Sequence, residues 1–117
     1  MSNTAKFFCV RVLKLENTTL PDDETTFAEL QDRIKLTVEL LNSVPKPSEI
    51  EVQKLSESEV LMETKVGNFK FESGQKYTSE FAIPNFHFHM TTAYCILRHL
   101  GVPIGAIDYL GDIFHKV

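Results

Sequence analysis

The sequence predicts a mainly α-helical domain with a short β-hairpin inserted between its helices. A capped amphipathic pattern runs from Thr26 to Leu41, and an alternating stretch from Val60 to Phe71 carries Gly67-Asn68 within it. Third, an apolar run from Asn85 to Leu100 ends in a helix stop. With 117 residues the chain is sized for one domain, 1–117, around one core.

Lys6 to Leu15 reads two ways from periodicity alone. Phe8, Val10 and Val12 alternate as in a strand, yet the same residues suit the last turns of a helix. The acidic residues Asp22, Asp23 and Glu24 read as a solvated loop that leads into a helix start. There Thr26 can cap a backbone N–H while Glu29, three residues on, reaches back to the cap. The apolar residues that follow, Phe27, Leu30, Ile34, Val38 and Leu41, recur every three or four positions and share one face, and Pro45 and Pro47 end the helix.

Between Ser48 and Ser73 charged residues alternate with Val60, Met62 and Thr64, and Phe69 and Phe71 follow. This predicts a hairpin turning at Gly67-Asn68, with both phenylalanines on the face that lies against a helix. Tyr77 and Phe81 are then one helical turn apart, and Pro84 removes a backbone donor, so the helix kinks or restarts there. From Phe86 to Leu100 the apolar residues point in nearly every direction, which predicts a helix buried all round. Leu100-Gly101-Val102-Pro103 is a C-terminal stop, and a last short helix is expected around Ala106 to Phe114.

Composition narrows the function classes. An apolar fraction of 43% and a charged fraction of 24% are those of an ordinary globular domain. A net charge of -4 gives no basic face for nucleic acid, which argues against that class of partner. No apolar run approaches the length of a membrane span, and Arg11 interrupts the apolar cluster near the N-terminus, unlike a secretion signal. Cys9 and Cys95 each sit in an apolar stretch, as reduced, buried thiols of a cytoplasmic protein do.

The run from Phe81 to Tyr94 (Phe81-Ala82-Ile83-Pro84-Asn85-Phe86-His87-Phe88-His89-Met90-Thr91-Thr92-Ala93-Tyr94), continuing through Ile96-Leu97-Arg98-His99, Gly101-Val102-Pro103-Ile104-Gly105 and Asp108-Tyr109-Leu110-Gly111, resembles a family signature. The family is domain-of-unknown-function family nineteen-ninety-three, similar in fold to the DinB/YfiT-like helical bundles. Thr26-Phe27-Ala28-Glu29-Leu30, Arg33-Ile34 and the Ala5-Lys6 start fit it as well. The resemblance implies an incomplete four-helix bundle, because members usually carry a first helix and most of a second ahead of this segment. Ala5 to Leu15 would then be the tail of that second helix. A bundle short of those helices leaves apolar stripes uncovered, which predicts a homo-oligomer or a helical partner on the exposed face.

The resemblance also implies a metal, since DinB-like relatives typically place three histidines around a divalent ion such as zinc or nickel. His89 is the first candidate ligand, with His99 and His115 next. Spacing opposes a shared ion: at about 100° per residue His87 and His89 lie about 200° apart and His89 and His99 about 80° apart. The i, i+4 pair is missing, and no histidine precedes His87. Asn85, Thr92 and Tyr94 are candidates for a polar pocket beside His89, and Cys95 with His99 has the spacing of a thiol–imidazole pair that lacks a third, orienting group. The sequence thus predicts a non-catalytic interaction or oligomerisation module, with a DinB-like metal-dependent enzyme, or its degenerate descendant, as the alternative.

Overall fold

A computed structural model describes residues 1–17 and 22–113. They fall into two units, Met1–Phe86 and the residues from His87 on. The first unit begins with helix α1, Ser2–Arg11, which settles the open reading of Lys6 to Leu15 as helix through Arg11. Lys6, Cys9 and Val12 are its buried positions, three residues apart as one helix face requires. Val12 caps the end by donating its N–H to the Phe8 carbonyl.

Helix α2, Phe27–Ser43, starts where the capping box places it. Thr26 Oγ1 accepts from the Glu29 N–H at 3.3 Å, while Glu29 Oε2 accepts from the N–H groups of Thr25 and Thr26, each at 2.8 Å. Because these bonds favour the ionised carboxylate, the Thr25 N–H first among them, the Glu29 pKa falls from its ordinary 4.5 to about 2. The side of α2 turned inward carries Arg33, Thr37 and Leu40, and Thr37 is buried with its hydroxyl donating to the Arg33 carbonyl at 2.7 Å. Phe27, Leu30, Ile34, Val38 and Leu41 are all exposed, Phe27 to 86%.

Arg33 ties this helix to α1 and to the acidic connector. Its guanidinium donates to Asp22 Oδ1 at 2.7 Å, to Glu24 and to Asn3 Oδ1 at 3.2 Å, and Asn3 in turn donates to Asp22. Glu24 is therefore not the solvated loop residue that its charge suggests, whereas Asp22 stays 71% exposed. Together they hold a guanidinium only 11% exposed.

Helix α3, Glu49–Glu57, is an element that periodicity missed. Ser48 and Glu51 form a second capping box, with Glu51 Oε2 accepting from the Ser48 N–H at 2.9 Å. Strands β1, Val60–Thr64, and β2, Gly67–Phe71, pair antiparallel, with Val60 opposite Phe71 and Thr64 opposite Gly67. This register corrects the expected turn: the connection is Lys65-Val66, and Gly67-Asn68 belong to β2. Thr64 is the cause, since its hydroxyl donates to the Gly67 carbonyl at 2.7 Å and accepts from the Val66 N–H at 3.2 Å. Gly67, at φ 143°, takes the one conformation in the hairpin that a side chain would resist.

The next helical stretch is continuous but changes pitch. Ser73 caps α4, Gly74–Lys76, which passes into a π-helical segment, Tyr77–Ala82, and then into α5, Ile83–His99. Pro84 is accommodated by this widened turn immediately before it, in place of a break. Tyr77 is completely buried and gathers the core: Val12, Val60, Met62 and Ala82, with Phe71 and Phe81 against it. Its ring meets Phe71 edge-on at 5.1 Å between centroids, and its hydroxyl accepts from Arg11 at 3.1 Å.

α5 is not buried all round, as its composition suggests; none of its residues is buried, and Phe88 is 64% exposed. Cys95, expected to be a buried thiol, is exposed with it, whereas Cys9 is buried. Gly101, at φ 86°, ends the helix in the left-handed conformation. α6, Ala106–Leu110, and a 3-10 turn, Gly111–Ile113, form the last short helix; Phe114 lies outside the described residues.

Two consequences are measurable. A Cβ on Gly74 would stand 2.3 Å from the Leu55 carbonyl oxygen, so Gly74→Ala is expected to cost about 1–3 kcal/mol in urea unfolding as α3 is forced away. Glu29 stabilises the fold when ionised, fully above pH 4.5, and that contribution is lost as pH falls towards about 2. Circular dichroism from pH 6 to pH 2 should show helix stability declining in that window, with a shallower decline in Glu29→Gln.

Candidate functional site

The histidine-bearing helix presents one organised polar face in the second unit. His87, Thr91 and Tyr94 recur at steps of four and three along α5, so they share a side. Tyr109 of α6 meets all three. Its hydroxyl lies 3.5 Å from His87 Nδ1 and 3.1 Å from Thr91 Oγ1, and its ring packs edge-on against Tyr94 at 5.7 Å. The Gly105 N–H donates to Asp108 Oδ2 at 2.7 Å, and Arg98 donates to the Ile104 carbonyl, fixing the connection that brings α6 back. Sequence reasoning named Tyr94 but not His87, Thr91 and Tyr109 as its company. The signal was the same-face spacing of residues 87, 91 and 94.

The other candidates lie elsewhere. His89 is exposed, its ring edge-on to Phe88 at 5.3 Å between centroids. Thr92 donates to the Phe88 carbonyl one turn back at 2.7 Å, the usual way a helical threonine satisfies its hydroxyl. Asn85 belongs to the first unit, where its amide donates to Thr4 Oγ1 of α1 at 3.0 Å. Asn85, Thr92 and Tyr94 thus have separate partners. His99 and Cys95 are both exposed on the last turns of α5. Cys9 is the buried thiol, and desolvation pushes its pKa up, away from the reactive thiolate.

A divalent ion finds no ready donor set on this helix. His89 and His99 are ten residues apart on one helix, a rise of about 15 Å, too far for two imidazoles to converge on ligand distances near 2 Å. Among the described residues no three His, Cys, Asp or Glu side chains are grouped as ion ligands would be. His115 lies outside those residues.

A mainly helical chain with one antiparallel hairpin is the architecture that comparison with solved structures also returns. The chain is similar to the crystal structure of a DinB family member protein from Shewanella denitrificans, at 33% sequence identity and a TM-score of 0.79. The match covers 99% of this chain and 64% of that one, so the chain spans about two thirds of the relative's length. No curated protein matches it. The fold is thus DinB-like. The sequence profile of the Domain of unknown function (DUF1993) matches residues 1–110, and the chain belongs to that family.

The histidine spacing leads to a direct test. After incubation with zinc or nickel and desalting, elemental analysis is expected to find no stoichiometric ion, and His89→Ala is expected to leave the result unchanged. One ion per chain, lost in that variant, would establish the site that the spacing opposes.

Proposed function

We propose that this chain is a non-catalytic interaction module of the cytoplasm that associates with a second copy of itself through the apolar row of α2. The observation that carries this reading is the exposure of Phe27, Leu30, Ile34, Val38 and Leu41 on one face of a single helix. They follow the three-and-four spacing with which paired helices pack, and a row of five large apolar side chains is more than a soluble monomer usually leaves in water. The outward direction of the row has a local cause. Arg33 and Thr37 occupy the inward side, committed to Asp22, Glu24 and the helix backbone, so α2 cannot roll its apolar face inward without breaking that network.

In a helical bundle apolar stripes are covered by neighbouring helices, and a second copy would supply such cover. Free thiols at Cys9 and Cys95 suit a reducing compartment, and among the described residues no helix is long and apolar enough to cross a membrane.

Light scattering coupled to size-exclusion chromatography tests the reading. At tens of micromolar the chain is expected to elute as a dimer that dissociates on dilution, and Ile34→Glu, at a position 59% exposed, is expected to be a monomer with unchanged helix content. A compact monomer of the unaltered chain at every concentration would overturn it.

A further inference from the structure

A different part of the first unit carries an inference about a ligand. The hairpin face that bears Met62, Phe69 and Phe71 does not close completely on α1 and the π-helical segment. Between them lies an open groove of about 540 Å³, lined also by Phe7, Arg11 and Phe81. That volume is within the range of small-molecule sites, and the lining is apolar apart from Arg11 and Thr64.

Two cations lie over the ring of Phe7, Arg11 as part of the groove lining and Lys6 outside it. The Arg11 guanidinium lies over the Phe7 ring at 4.4 Å from the centroid and is fixed by its bond to the Tyr77 hydroxyl. That bond uses one of five N–H donors, and a guanidinium accepts nothing. Lys6 Nζ lies over the same ring, also at 4.4 Å. The residue is only 6% exposed, yet among the described residues its ammonium has neither a hydrogen bond nor a carboxylate partner. Arg11 has no carboxylate partner among them either. Two like charges over one ring repel each other. An anion would relieve that repulsion, and an anion lodged here would have its remaining atoms against phenylalanine and methionine.

We propose that this groove binds an amphipathic carboxylate, its head group held by Arg11 and Lys6 and its apolar body lying along Met62, Phe69 and Phe81. Phosphate alone would gain nothing from the apolar wall, and an alcohol would leave both cations uncompensated. Charge and apolar contact together define the class.

The test uses decanoate and its neutral counterpart 1-decanol, titrated calorimetrically into the full chain. Decanoate is expected to bind at least tenfold more tightly than decanol, and Arg11→Gln and Lys6→Met each to remove that preference. Arg11→Gln also removes the Tyr77 bond and can loosen the core, so amide resonances of the unaltered protein provide an independent reading. On decanoate addition the shifts should concentrate in residues 6–11, 62–71 and 81. Equal affinity for decanoate and decanol, shifts centred on α2, or no binding up to about 1 mM would overturn the assignment.

Discussion

The buried ring of Tyr77 is what the first unit closes on. It contacts Phe71 from the hairpin and Phe81 from its own π-helical turn, while its hydroxyl accepts from Arg11 of α1. Three elements thereby share one side chain. A two-stranded hairpin has too little surface of its own to persist in water, and Val60, Met62 and Phe71 become core only because this ring and its neighbours cover them. The hydroxyl matters as well, since a buried phenol without a partner would offset much of what the ring contributes.

A second constraint acts through charge. Arg33 reaches Asp22, Glu24 and Asn3 from a largely buried position, which fixes how α2 lies on α1. The cost of shielding that guanidinium is met by three oxygen partners, a geometry that Lys could not reproduce. Because the network commits one side of α2 to polar contacts, the apolar side is left facing outward. Specific polar packing and an exposed apolar row are therefore two results of one arrangement.

How much of this could be read in the sequence depended on how local each cause was. α2 was legible because Thr26, Glu29 and the apolar spacing act within a few residues of one another. Ser48 and Glu51 carry the same signature ahead of α3, but the charged alternation that follows drew the eye towards strand. The hairpin was legible and its turn was not, because Thr64 closes the turn from three residues before the glycine that marks it. α5 was misjudged for a different reason: apolar composition states what a helix would gain by burial, not whether other elements are there to bury it. Among the site residues, the poor spacing of His89 and His99 for a shared ion was visible in the sequence. The meeting of His87, Thr91 and Tyr94 with Tyr109 needed the return of α6, which no local pattern encodes.

The π-helical segment Tyr77–Ala82 has an effect beyond making room for Pro84. A widened turn of this kind takes up one residue more than an α-turn does, so the residues that follow it in the first unit, 83–86, are rotated by about 100° relative to an uninterrupted helix from Gly74. The azimuth of Asn85, whose amide donates to Thr4 Oγ1 of α1 at 3.0 Å, is consequently set upstream, by backbone within the aromatic core. One extra residue in that turn works as a phase shifter: it lets Tyr77 stay anchored in the core while Asn85, further on, is brought round to α1.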